Sequence, residues 1–293
     1  MVEQNRILNC ESMITLAAIQ MEPRIGYKEA NVRRSLEMIN EAADKGAKFL
    51  VLPELCNTGY MFNSREELYA VAEKIPEGPT TRAWAKLAVE RKLYIVAGIA
   101  ELAEDGIRCY NSCILIGPDG YIGTHRKLHA WCDEKVFFES GNLGYQVFET
   151  PIGRISMLIC YDMWFFENFR ILARKGADIV CCPTNWVDIP PAVTAGPALA
   201  QTNAGCNSIF VVAADRIGVE RGCRFPGRSV IMGPDGWHRA PMGSDDKEEI
   251  LIAEVNLMEA RRLNWNPMNV VFRDRRTDLY DDMLGSGEKP LPR

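Results

Sequence analysis

The chain has 293 residues, of which 47% are hydrophobic and 25% charged, and a formal net charge of −5 at pH 7. That length suits one large α/β domain or two smaller ones, each with a substantial core. The acidic balance, with a pI near 5.5, argues against a nucleic-acid or anionic-membrane surface, and no apolar run approaches the roughly 20 residues that cross a bilayer.

Met1 to Ser12 is polar and lacks the apolar stretch of a secretion signal. Ile14 to Met21 reads as a strand, and Tyr27 to Lys45 as an amphipathic helix stopped by Gly46. Lys48-Phe49-Leu50-Val51-Leu52 is a buried strand that ends at Pro53-Glu54. Thr80 to Lys92 predicts a second helix, and Leu93 to Leu102 a strand. Asp105-Gly106 makes a hairpin turn, and Cys109 to Ile116 is the returning strand. Gly117-Pro118-Asp119-Gly120 then turns the chain into Tyr121 to Thr124.

The second half repeats this order. Strand Arg154 to Ile159 leads to helix Phe165 to Lys175, and Gly176-Ala177 leads to strand Asp178 to Cys182, closed by Pro183. The run Gly46-Ala47-Lys48-Phe49-Leu50-Val51-Leu52-Pro53 matches Gly176-Ala177-Asp178-Ile179-Val180-Cys181-Cys182-Pro183 in kind. Helix Pro197 to Gly205, strand Ser208 to Ala214 and a second turn, Gly233-Pro234-Asp235-Gly236, complete it. The approximate duplication predicts one α/β domain of two similar halves. Its helices cover both faces of the sheets or lie outside a packed pair of sheets, and the pattern leaves both open. Strand Leu251 to Val255 and a helix start, Asn256 to Leu263, close a domain spanning 13–263. The tail Asn264 to Leu284 keeps Trp265, Val270, Val271, Phe272, Leu279 and Tyr280, too apolar for a free end, so it is expected to pack on its own domain or a partner subunit. Gly285 to Arg293 reads as disordered.

Ten cysteines are present, but Cys109, Cys113, Cys181 and Cys182 sit inside apolar strand patterns and no CxxC pair occurs. A secreted disulfide framework belongs to much shorter chains. His125 and His129 are four apart, yet Gly123 and the strand-like surroundings speak against a helical metal pair. A reduced, cytoplasmic enzyme without metal or other cofactor is the simplest expectation.

Three segments each put a chemically capable residue at a strand end. Glu54 follows Val51-Leu52-Pro53, Lys127 lies in His125-Arg126-Lys127-Leu128-His129, and Cys160 ends the apolar run from Arg154. A thiol at the C-terminal end of a buried strand sits where open α/β sheets place ligands, and a helix N-terminus close behind it would favour thiolate. Each residue alone has a plain structural reading: Glu54 as a helix cap, Lys127 as a solvated charge, Cys160 as core. Together, Leu52-Pro53-Glu54-Leu55, Arg126-Lys127-Leu128-His129 and Ile159-Cys160-Tyr161-Asp162-Met163-Trp164-Phe165-Phe166-Glu167 resemble the nitrilase superfamily of carbon–nitrogen hydrolases, over roughly Ile14 to Leu263. The resemblance implies an αββα sandwich that dimerises into a four-layer assembly, with a Glu54–Lys127–Cys160 triad. It also implies a second glutamate, matched here by Glu134 in Asp133-Glu134-Lys135-Val136-Phe137-Phe138, whose structural reading is a surface charge. Phe166 stands where the family usually has proline, a position near a helix start that carries no chemistry.

The chemistry is coherent on its own terms. A thiol needs a base, and none of the three histidines accompanies a cysteine motif, so His129 reads as structural. A buried carboxylate can serve as base if burial raises its pKa toward working pH. Lys127 and the Tyr161 backbone N–H would then receive the developing oxyanion.

Tyr161-Asp162 after the cysteine resembles amidase and carbamoylase branches, whereas nitrile-cleaving members usually carry Trp-Glu there. Met163 and Trp164 replace the arginines with which carbamoyl-amino-acid hydrolases tend to hold a carboxylate. Tyr60, Trp131, Tyr161, Trp164, Asn185 and Trp186 are the candidate lining of a substrate pocket suited to a neutral acyl group, or else plain core. Arg216, Arg221, Arg224 and Arg228 leave room for an anion site. The expected activity is hydrolysis of aliphatic or ω-amides through a cysteine thioester, by a homodimer that needs no nucleic acid or membrane. N-carbamoyl amine or nitrile hydrolysis and an inactive interaction module are the alternatives.

Overall fold

The structure is a computed structural model that describes residues 13–189, 192–262 and 264–280. It divides into two compact units, one ending at Arg261 and one beginning at Arg262. In the first unit the elements run β1 (Ile14–Gln20), α1 (Lys28–Asp44), β2 (Phe49–Val51), α2 (Arg65–Val71), α3 (Pro79–Arg91), β3 (Tyr94–Leu102), β4 (Cys109–Gly117), β5 (Gly120–Arg126) and α4 (Glu134–Phe137). They continue through β6 (Phe148–Thr150), β7 (Gly153–Met157), a 3₁₀ turn at Cys160–Trp164, α5 (Phe166–Arg174), β8 (Ile179–Pro183), α6 (Ala192–Asn207) and β9 (Phe210–Ala214). The unit closes with β10 (Ile217–Glu220), β11 (Cys223–Pro226), β12 (Val230–Met232) and β13 (Glu249–Val255).

Two main sheets form, ordered β13-β1-β2-β3-β4-β5 and β12-β9-β8-β7-β6. Each is built on three parallel strands, β1-β2-β3 and β7-β8-β9, with antiparallel strands on both sides. Side chains alternate across a strand, and the burial follows. Leu16, Ala18, Phe49, Val51 and Val96 join Ile155, Met157 and Ile179 in one core cluster. Ala17, Ile19, Leu50, Leu52, Ile95 and Ala97 join Met38, Ile39 and Ala42 of α1 with Trp84 and Leu87 of α3 in another. The sheets therefore pack on each other, with α1 and α3 outside the first sheet and α5 and α6 outside the second.

The internal duplication is visible in the helix ends. α1 stops at Gly46, φ 92°, with Ala47 N–H donating to the Ala42 carbonyl, and α5 stops at Gly176, φ 91°, with Ala177 N–H donating to Leu172. The second helix of each half ends the same way at a non-glycine residue, Lys92 or Ser208, in the left-handed region. Such ends satisfy carbonyls that the helix leaves open, and they return the chain directly to a parallel strand.

Several elements depart from the sequence reading. α6 begins at Ala192 rather than Pro197, so Pro197 lies inside the helix. The Arg154 strand ends at Met157, and an α-helix begins only at Phe166, after the 3₁₀ turn. The short α2 and the β10–β11 hairpin carried no clear periodicity. In the second unit β14 (Asn264–Asn266) pairs antiparallel with β15 (Asn269–Val270), and α7 (Thr277–Tyr280) is one turn. The expected disorder of 285–293 and the tail's last residues, from 281, lie outside the described residues.

Candidate active site

The C-terminal ends of the parallel strands set the site. Leu52 N–H still pairs with the Val96 carbonyl, after which Pro53 and Glu54 leave the sheet and Leu55 takes φ 47°. This bend lies directly on Gly98: a Cβ there would stand 2.5 Å from Glu54 Cα and 2.6 Å from the Pro53 oxygen. Leu158 N–H pairs with Cys181, and Cys160 then turns sharply with φ 45° into the 3₁₀ turn. A non-glycine residue in that region is strained, and such strain clusters at functional sites. Lys127 follows the last residue of β5, its N–H held by the Asn111 carbonyl of β4.

These strand ends and the start of α4 bring Glu54, Lys127 and Glu134 into one buried cluster. Lys127 Nζ lies 2.6 Å from Glu54 Oε1 and 2.7 Å from Glu134 Oε1. Asn111 Nδ2 donates to the same Glu54 oxygen at 2.6 Å, while Glu54 Oε2 is buried without a hydrogen-bond partner. Glu134 also accepts from the Tyr60 hydroxyl and, at 3.2 Å, from the Trp131 N–H. Tyr60 thus bonds to a carboxylate of the cluster through its hydroxyl. Its own backbone N–H donates to the buried Glu220.

Burial pushes the Glu54 carboxyl up to about 7, with Lys127 opposing and Glu134 reinforcing the shift. Burial alone would lower Lys127, but Glu134 and Glu54 outweigh it and hold the ammonium well above its ordinary range. The Cys160 thiol is raised well above a free cysteine, by burial and by Glu54, with Lys127 and the Asn185 backbone working the other way. The expected help from a helix N-terminus is therefore corrected: the thiol sits on a short 3₁₀ turn, and desolvation dominates. A buried carboxylate–ammonium–carboxylate cluster is costly, and an unsatisfied carboxylate oxygen adds to that cost. The surrounding fold carries it.

Asp162, fully buried, ties the segment after β5 to the turn at Cys160. Its Oδ1 accepts from the His129 N–H at 2.9 Å and faces His129 Nδ1 at 2.8 Å, and its Oδ2 accepts from the Ile159 N–H at 3.1 Å. Burial would raise this carboxyl, but hydrogen bonds from His125 and His129 hold it below the usual carboxylate range. His129 stacks on Phe165, centroids 3.7 Å apart. Both imidazoles adjoining Lys127 are thus engaged with an acid.

A cleft opens beside Cys160, lined by Trp131, Tyr161, Trp164, Asn185, Trp186, Val187 and Gly196. Asn185 Nδ2 donates to the Glu54 carbonyl at 3.0 Å, so this residue braces the carboxylate segment as well as lining the cleft. Arg216 is buried and bonded to Glu220, Arg221 pairs with Glu67, Arg224 with Asp188 and Arg228 with Asp245. The room left for an anion site is thereby filled by the protein's own carboxylates. Sequence reasoning did not single out Asn111, Asp162 as a tether, or Gly196. A lone asparagine inside the apolar strand Cys109 to Ile116 was the available signal for the first.

The two-sheet fold matches that of known hydrolases. A family model described as carbon-nitrogen hydrolase matches residues 15–264. A protein named nitrilase from Pyrococcus abyssi is 42% identical over 268 residues, 92% of this chain and 99% of its own. An N-carbamoylputrescine amidase from Solanum lycopersicum is 32% identical, covering 99% of this chain and 100% of its own, and a human omega-amidase is 31% identical over 90% and 96%. The crystal structure of a carbon–nitrogen hydrolase from Helicobacter pylori superposes with a TM-score of 0.82 at 27% identity, over 93% of this chain and 98% of the other. The chain belongs to the carbon–nitrogen hydrolase family, within the nitrilase superfamily, and is an enzyme of that class.

Proposed function

We propose that the protein hydrolyses linear amides, releasing ammonia through a thioester on Cys160. The observation that carries this is the buried Lys127 held between Glu54 and Glu134 at the strand ends that also bear Cys160. Glu54, with a carboxyl near neutrality and one unpartnered oxygen, takes the thiol proton as sulfur attacks the carbonyl carbon. The electron pair displaced onto the carbonyl oxygen is met by Lys127 and the Tyr161 backbone N–H. Collapse of the tetrahedral species breaks the C–N bond, and Glu54 returns its proton to the departing ammonia. Water, deprotonated by Glu54, then cleaves the thioester to the acid and the free thiol. Glu134 keeps Lys127 charged and in place.

An ammonia-release assay over aliphatic amides, ω-amides, N-carbamoyl amines and nitriles tests this. Cys160→Ala is expected to abolish turnover of a folded protein, and persistent ammonia release by that variant would refute the assignment. N-carbamoyl amine hydrolysis is the second reading, favoured by full-length similarity to N-carbamoylputrescine amidases. We further propose a homodimer, supported by the apolar groove of Met163, Phe166, Ala198 and Leu199 between α5 and α6. Sedimentation that finds only monomer at micromolar concentration would refute it.

A further inference from the structure

We infer that the cleft beside Cys160 selects amides with an uncharged, apolar acyl chain and discriminates against chains that end in a charge. This inference rests on the amide-hydrolase reading and specifies its substrate class. The wall is made of rings. Trp131 meets Tyr161 edge-on with centroids 4.8 Å apart, and Tyr161 lies 6.3 Å from Trp164.

Trp186 is fixed from two sides. Its backbone N–H donates to the buried Asp215 at 2.9 Å, and its ring presses on α6 at Gly196, where a Cβ would stand 2.3 Å from two ring carbons. Only a residue without a side chain lets that indole form the cleft wall. The cleft is small and partly open to solvent, with room for roughly one water molecule. A chain that fills it must shed its water.

Shedding water decides the selectivity. An apolar chain gains by leaving water for these rings, while a carboxylate or ammonium loses its hydration and needs a counter-charge. Among the described residues lining the cleft, the side-chain hydrogen-bonding groups besides the thiol are a phenol, an amide and indole N–H groups. The arginines of the 216–228 loop are committed to carboxylates, among them Arg216 to Glu220 at 3.0 Å and Arg221 to Glu67 at 2.7 Å. From Ile189 to Leu199 the sequence contains no charged residue at all. Lys127, 2% exposed at its side chain, is held by two glutamates and belongs to the reacting end.

The test compares kcat/KM of the purified full chain for valeramide, glutaramate and 5-aminopentanamide, which share chain length and differ at the far end. Valeramide is expected to exceed each charged amide by at least about 30-fold, the scale on which a site without partners rejects a polar group. Gly196→Ala, which must push Trp186 out of the wall, is expected to lower the valeramide value and narrow that ratio. Glutaramate or 5-aminopentanamide turned over within threefold of valeramide would overturn the inference while leaving amide hydrolysis standing. Failure of all three, with ammonia released from none, would overturn both.

Discussion

Replacing Glu134 by glutamine tests the electrostatics of the cluster directly. Glu134 and Glu54 each place one oxygen on Lys127 Nζ, at 2.7 and 2.6 Å. The two carboxylates therefore lie roughly 4–5 Å apart and repel by about 3–4 kcal/mol at an effective dielectric near 20. That repulsion is one cause of the raised Glu54 carboxyl, and Lys127 divides its attraction between the two acids. Glutamine removes the repulsion and leaves the ammonium to Glu54 alone, so both changes favour the ionised Glu54. The sign is thus downward. The acid limb of kcat/KM, set in the parent by a base near pH 7, is expected to fall by about one to two pH units, each worth about 1.4 kcal/mol. A weaker base and a less firmly held Lys127 also lower the plateau, by roughly 100-fold. The assay is ammonia release from one amide between pH 4 and 9, with refolding controls by circular dichroism. An acid limb that stays in place or moves upward would refute the assignment of Glu54 as the titrating base.

Asp162→Ala removes the acceptor shared by Ile159, His129 and His125, and is expected to cost about 3–5 kcal/mol, read as a lower urea midpoint; an unchanged midpoint would contradict its role as a tether. Gly98→Ala puts a Cβ against the Glu54 backbone, so a folded variant with its activity reduced at least about tenfold is expected, from displacement of the proposed base. Full activity there would mean that the bend can move freely. Amides are expected to be hydrolysed far better than the matching nitriles, because an amide's negative charge develops on an oxygen that Lys127 can reach; a nitrile preferred over its own amide would reverse this ordering.

Much of the fold was legible because its signals are local. β1, β2 and β3 read as apolar runs, and α1 and α3 as periodic helices ended within a residue or two of their observed limits. The repeated Gly-Ala step before β2 and β8 announced the duplication, because a left-handed helix end requires that chemistry at that point. The start of α6 was misjudged because proline normally marks a helix beginning; here it lies in the helix interior, after the glycine against which Trp186 rests. The β10–β11 hairpin escaped notice because tertiary contacts, rather than pattern, specify it, whereas α2 carries a local start signal that was overlooked, Ser64 accepting from the Glu67 N–H. Glu220 of β10 accepts the N–H groups of Ile25, Tyr60 and Met61.

The sequence by itself placed a cysteine, a lysine and Glu54 at strand ends, and only the resemblance to the nitrilase superfamily grouped them with Glu134. What only the tertiary structure decided is their ionisation and their company. The Glu54 carboxyl is raised to about 7 because it is wholly buried and lies beside Glu134, against the opposing pull of Lys127, and desolvation is a property of the packed interior, not of spacing along a chain. In the same way the arginines of the 216–228 segment were free charges as letters and became the partners of Glu220, Glu67, Asp188 and Asp245 once folded. Except for Arg216 and Glu220, four residues apart, these partners are distant in sequence, and no local pattern pairs them.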